Sequence, residues 1–479
     1  MENITNNLAE FATSAKYKDL PKEVVEKVKL IFLDSIGCAL GSYMTDRSKI
    51  ALEFALESGG NPQASIIGGY KTSSSLAAFV NGELINSLDF DVIGPLTGHV
   101  YPYVAPSCLA IAEKNHSSGK ELILALALSN EIGGRIASSL SQHRILKKEP
   151  PYYEEHPRFS FSTTLIGGVT GPGNLLGFNT EKMVNAMGIA GASCPIPATQ
   201  KWENLTCPAT MVKYNAWAGW CAQLATVATL MAEKGFTGDP SIFDGELGFW
   251  KLVGSAVFKP ENLVNELGKK WNILETAFKL YPTCQINQVG IQVLRKIIKS
   301  NNLKLEDIGQ IIIKGDPLFL TPNRNTNNIK GFGDMQFSNK HIFAASILYN
   351  DFAGPLWQLP LIYKKKKLEL IANKIKVELH PKTSEVLIRN IKEGTGRPFI
   401  MDVIVEVILN NGKKFISEGS APRGSINNPA SKEEIISKFR NNASFSLIDT
   451  CKIENSIKMI EKLEKLEDVN FLTKLFVID

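Results

Sequence analysis

The sequence predicts a mainly α protein, built as a large all-α helical domain with a second, smaller α+β domain. Three observations carry this expectation. Apolar residues recur at helical spacing from the start to about residue 267, short β-rich runs follow after about residue 268, and helical spacing returns from residue 431. A chain of 479 residues also exceeds what one compact core usually holds. The expected bounds are 1–267 for the helical domain, with the C-terminal helices of 431–479 returning to it, and 268–430 for the α+β domain.

Taken in order, Leu20-Pro21 opens a helix in which Val24, Val25, Val28, Ile31 and Phe32 share one face, with Lys and Glu between them. Small-residue-rich helical segments follow at 73–90 and 171–194. From Lys213 to Lys234 another helix carries Ala216, Ala218, Ala222, Ala225 and Ala228. Ala and Gly at such spacing let helix backbones approach closely. The runs IGQIIIKGD (308–316) and NKIKVELHP (373–381) read as strands, with a helix expected at 290–301 between them. In 399–420, Val403, Val405, Val407 and Leu409 alternate on one strand face, and Asn411-Gly412 predicts a two-residue hairpin turn. Ser431 is the expected N-cap of the next helix, with Glu434 as its capping-box partner. Lys364–Lys367 reads as a solvated stretch.

Composition narrows the function classes. An apolar fraction of 44% with 21% charged residues fits a globular chain, and a net charge of +5 is small for this length. Basic residues are dispersed, with no aromatic–basic module, so no nucleic-acid partner is expected. The N-terminal segment lacks the pattern of a signal peptide, and no apolar run is long enough to span a membrane. Seven scattered cysteines without a CxxC pair fit reduced thiols, so the expected location is cytoplasmic. Signatures of serine hydrolases, zinc proteases and phosphate loops are missing. Gly171-Pro172-Gly173 follows no strand and is not read as a nucleotide site.

The segment NGELINSLDFDVIGPLTGHVYPYVAPSCLA (81–110) stands out. Asp89 and Asp91 end an apolar helical run, Gly94, Pro95 and Gly98 force a loop, and His99 precedes the next apolar helix. A carboxylate beside an imidazole fixes its tautomer and raises its basicity, which suits a general acid or base near neutral pH. A plainer reading stands beside it, in which Asp89 caps the helix and His99 is structural.

This segment resembles the signature of the MmgE/PrpD family (2-methylcitrate dehydratase, cis-aconitate decarboxylase and iminodisuccinate epimerase-like enzymes). There an NG…HSLDFDD run is followed by a loop and a histidine. Five further segments are similar to family motifs in the family's order: LDSIGCALGS (33–42), SLAAFVNG (75–82), TMVKYNAWAG (210–219), FTGDPSIFDGELGF (236–249) and AFKLYPTC (277–284). The resemblance implies that the α+β domain is a lid, that the protein is a homodimer, and that a site free of cofactor and metal lies in the cleft between the domains. It assigns Asp89, His99 and Lys213 as catalytic residues and Lys279 and Tyr281 as substrate-binding. Counting back from Leu176-Gly177 places Arg158 where the family often has a histidine, with His156 two residues earlier. Both are candidate substrate-binding residues, Arg158 as a bidentate carboxylate clamp.

Departures from the family pattern are equally specific. Val92 replaces the second aspartate of the DFDD run, Ile93 the following threonine, and Asn86 the preceding histidine. Asn287 and Gln288 stand where many members have a histidine, and 314–325 lacks the tyrosine of decarboxylating relatives. The expected function is acid–base chemistry on a small (poly)carboxylate, as a dehydratase or decarboxylase acting by proton transfer beside a carboxylate. An epimerase on the same scaffold, a ligand-binding paralogue, and a Schiff-base enzyme through Lys213 are the alternatives.

Overall fold

The computed structural model describes residues 3–94, 98–140, 144–146, 153–155, 161–195, 211–212, 217–255, 258–322, 324–349, 353–359, 362, 364–383, 385, 388 and 401–478. The protein is mainly α, with a small mixed sheet in its C-terminal half. Among the described residues, no helix is long and apolar enough to cross a membrane.

Helices α1 (Ile4–Ser14), α2 (Lys22–Gly41), α3 (Asp46–Ser58), α4 (Ser74–Ser87), α5 (Tyr101–Lys114) and α6 (Gly119–Ser139) build the first part of the helical body. Val24, Val25, Val28, Ile31 and Phe32 of α2 are all buried, as their spacing predicts. The segment 171–194 is two helices rather than one, α7 (Thr170–Leu175) and α8 (Thr180–Ala192), because Gly177 turns the chain at φ +66° between them. Gly171 is a packing glycine: a Cβ there would lie 2.3 Å from the carbonyl of Ala125 on α6.

The helix Ala218–Glu233 buries Ala218, Ala222, Ala225 and Ala228 against its neighbours, while Ala216 lies outside the described residues. It crosses α4 at Gly219, where an added Cβ would sit 2.2 Å from the carbonyl of Phe79. Gly82 on α4 faces Gly219 in turn, so the two backbones touch. The same device brings the C-terminal chain home. Gly37 and Gly41 of α2 leave room for Phe439 and Asn442 of the helix Lys432–Ala443. That helix starts with the expected capping box: Ser431 Oγ accepts from the Glu434 amide, and the Ser431 amide donates to Glu434 Oε2 at 2.7 Å.

The four-stranded sheet runs in the order Ile375–Leu379, Ile308–Gly315, Val403–Leu409, Lys414–Gly419. The first pair is parallel and the other two are antiparallel. Val403, Val405 and Val407 face the core beside the helix Asn287–Ser300. The hairpin turn differs from the two-residue form expected. Ile408 pairs with Lys414, leaving Asn410, Asn411 and Gly412 as a three-residue loop. The Gly412 amide donates to the Leu409 carbonyl and Gly412 takes φ +83°, the type I turn followed by a left-handed glycine that such loops use.

Among the described residues, two backbone crossings tie Ala277 and Phe278 to distant segments of the chain. At the first, Ile93 and Ala277 exchange backbone hydrogen bonds of 2.9 and 2.8 Å. At the second, the Phe278 amide donates to the Gly424 carbonyl. The loop after α4 is thereby stitched to the seam between the two parts.

Candidate active site

The turn that follows α4 organises the site. Leu88 closes the helix and Asp89 adopts φ +52°, a left-handed conformation in which aspartate costs about 1–2 kcal/mol relative to its usual regions. Such a turn would leave the last helical carbonyls without partners. Two buried glutamines of the α+β region satisfy them: Gln336 Nε2 donates to the Ser87 carbonyl at 2.7 Å, and Gln358 Nε2 to the Leu88 carbonyl at 2.7 Å. Gln358 also donates to the Pro282 carbonyl and accepts from Gln336, so the pair spans the seam.

Reversal of the chain at Asp89 sends both aspartates to one imidazole. His99 Nδ1 lies 2.6 Å from Asp91 Oδ2, and His99 Nε2 lies 3.1 Å from Asp89 Oδ1. His99 reaches this position because Gly94 and Gly98 close the intervening loop with a 2.7 Å backbone hydrogen bond. Lys279 completes the group, donating to both the carbonyl and Oδ1 of Asp89, at 2.9 and 2.8 Å. All four side chains are buried.

A neutral imidazole has one N–H and can donate to only one of two carboxylates, whereas the protonated ring donates to both. An imidazole with a carboxylate at each nitrogen is placed to pass a proton between them. Asp89, Asp91 and His99 also offer three ligand atoms within 4.8 Å of one another, the spacing a metal ion needs. A divalent cation among them would face the Lys279 ammonium already seated on Asp89, and like-charge repulsion at such range is strong in a buried site. The Lys279 ammonium already places a positive charge on Asp89.

A buried polar layer backs the cluster. Arg47 pairs with Glu83 at 2.6 Å and donates to Asn86 Oδ1, whose amide donates to Asp91 Oδ1 at 3.4 Å. Asn86, which replaces a family histidine, thus links Arg47 to Asp91. Glu83 also accepts from the Gly219 amide at the start of the helix Ala218–Glu233.

The sequence-predicted residues distribute unevenly. Asp89, His99 and Lys279 come together; Lys213, Arg158 and His156 lie outside the described residues. Lys279 commits two of its donors to Asp89, so holding that carboxylate is its first task in this structure. Tyr281 stacks its ring on Trp357 at 5.9 Å with Arg295 5.4 Å from its face, and burial pushes its hydroxyl pKa up. Gln288 caps the Tyr281 backbone at both its amide and its carbonyl, and Asn287 donates to Thr283 Oγ1. Asp91, visible beside Asp89 in the sequence but given no role there, carries the shortest contact to His99. Gln336 and Gln358 gave no signal at all, because glutamines inside helical text look like any others.

Comparison with known proteins agrees with this reading of the chain. Residues 6–260 match the MmgE/PrpD N-terminal domain and residues 281–465 the MmgE/PrpD C-terminal domain. The cis-aconitate decarboxylase of Mus musculus is 24% identical, over 99% of this chain and 93% of its own length. That of Homo sapiens is 24% identical over 99% and 95%, and that of Aspergillus terreus 22% identical over 98% and 95%.

Proposed function

The chain belongs to the MmgE/PrpD family, and from that premise we propose that it is a cofactor-independent lyase acting on a small (poly)carboxylate. One observation carries the reading: a buried imidazole held at both nitrogens by carboxylates, one of which is paired to a lysine. Such a unit stores and returns a proton without a metal. In decarboxylation, the bond to a substrate carboxylate breaks, carbon dioxide leaves, and the electron pair left on carbon takes a proton from the His99–Asp89 pair, which solvent replenishes. In dehydration, the pair takes a proton from the carbon beside a carboxylate, the double bond forms as the C–O bond breaks, and the departing hydroxide takes that proton back from the pair to leave as water.

Lys213 is read as a catalytic residue and Arg158 or His156 as a substrate-binding one, the lysine and arginine as cations for substrate carboxylates. The α+β region serves as the lid, and the six described cysteines, all free thiols, suit the cytoplasm. A homodimer belongs to the same reading. Trp217, Trp220, Val227 and Met231 form an exposed stripe along one helix, beside Phe54, and sedimentation at twice the 52.7 kDa chain mass is the expected result.

Incubation with cis-aconitate, citrate, 2-methylcitrate and iminodisuccinate in deuterated water, followed by NMR, tests the function. Loss of carbon dioxide or water from one of them is expected. Deuterium exchange with no net loss would mark an epimerase instead, and four unchanged spectra would leave a binding protein.

A further inference from the structure

We propose that Lys438 is a positioning residue of the His99 site, holding from the C-terminal helix the turn that sets Asp89 and Asp91 on opposite nitrogens of one imidazole. The inference rests on reading His99 as the proton carrier. Lys438 lies 348 residues along the chain from Phe90 yet donates to its carbonyl at 2.7 Å, at the residue between the two aspartates. Its ammonium also stands 3.8 Å from the centre of the Phe90 ring and 2.8 Å from Asp34 Oδ1 on α2. The lysine is buried, and so are Asp34 and Phe90. A lysine removed from water in this way needs its partners, and those partners fix where Phe90 lies. Because one residue on each side of Phe90 touches His99, a shift of that carbonyl moves both carboxylates relative to the ring.

Charge gives Lys438 a second route to His99. Among the described residues, the ionisable groups around the ring are Asp89 and Asp91 on its own turn and Lys279 at the seam. One layer further out are Arg47 on α3, Glu83 on α4, Tyr101 and Tyr103 on α5, Lys27, Asp34 and Cys38 on α2, and Lys438. Arg47 offsets Glu83, and Lys279 offsets Asp89. Asp34 and Asp91 both lie near Lys438, and Asp34 is also within electrostatic reach of Lys27. Burial pushes the Asp34 carboxyl pKa up despite Lys438 beside it, with Asp91 adding to the rise, which places Asp34 and Asp91 within electrostatic reach.

The test is the titration of the His99 ring, followed by NMR in the full-length protein with labelled histidine and assigned by the signal lost in His99→Gln. Lys438→Met removes a positive charge, so the midpoint should rise by about one pH unit. Asp34→Asn removes a negative charge from the same layer, so the midpoint should fall. Lys438→Arg should restore the native value. A purely structural lysine would not give shifts of opposite sign, and an unchanged midpoint in folded Lys438→Met overturns the proposal. Should Lys438→Met fail to fold, Asp34→Asn decides alone, and no downward shift overturns it. Turnover of His99→Gln is a separate reading: native turnover there removes the proton-carrier role without altering the titration result.

Discussion

Lys279→Met is expected to destabilise the protein by about 3–5 kcal/mol, the largest stability effect of any single site residue. The ammonium of Lys279 is fully buried and meets Asp89 twice, once at its carbonyl and once at its carboxylate. Methionine fills nearly the same volume but leaves a buried carboxylate facing its own strained backbone without that cation. Removing one partner of a buried pair leaves the other charge uncompensated, whereas removing both does not. Most of the loss should therefore return in Asp89→Asn/Lys279→Met. Thermal unfolding followed by circular dichroism checks both, and a Lys279→Met melt matching the native one would show that the pair contributes little.

Asp91→Asn is expected to lower kcat by about 10³–10⁴ while leaving the fold and KM nearly unchanged. Asparagine matches aspartate in shape, so the 2.6 Å contact to His99 Nδ1 persists in outline. An amide, however, can turn its NH2 toward the ring and stabilise the tautomer with its proton on the wrong nitrogen. It also withdraws the negative charge that supports a protonated imidazole. KM should hold because Asp91 lies buried behind His99, with Asn86 on its far oxygen. Steady-state kinetics on the substrate identified by the NMR panel supply the check. A drop confined to KM would mean that Asp91 shapes the binding cleft rather than the proton path.

Local patterns made much of the architecture legible. The α2 face, the capping box at Ser431 and Glu434, and the alternation of Val403, Val405 and Val407 each depend on neighbours within a few residues, and each stands as read. The turn at Asn411-Gly412 was visible as a turn but not as a three-residue loop, because its length depends on the register with Lys414. The loop between α4 and α5 announced itself through Gly94 and Gly98. Asp91 was harder, since residues two apart at the end of a helical run do not face each other. Only the left-handed backbone at Asp89 brings both carboxylates to one ring. Lys438, Gln336 and Gln358 meet the turn across 348, 249 and 270 residues of chain, and no spacing rule reaches that far.

Substitutions within the family signature also take on a physical meaning. Ile93, in place of a threonine, is buried and uses its backbone to bridge Ala277, so it serves the seam. Asn86, in place of a histidine, leaves His99 as the titratable imidazole of its turn and passes the Arg47 contact on to Asp91. These changes leave the Asp89–His99–Asp91–Lys279 cluster complete.

Deuterium delivery to the substrate identified by the NMR panel, compared between the native protein and His99→Gln in deuterated water, tests the central claim most directly. The native protein should convert that substrate and carry solvent deuterium into substrate or product, while folded His99→Gln does neither above the uncatalysed rate. A His99→Gln protein that delivers the deuteron at the native rate would show that the proton travels by another route.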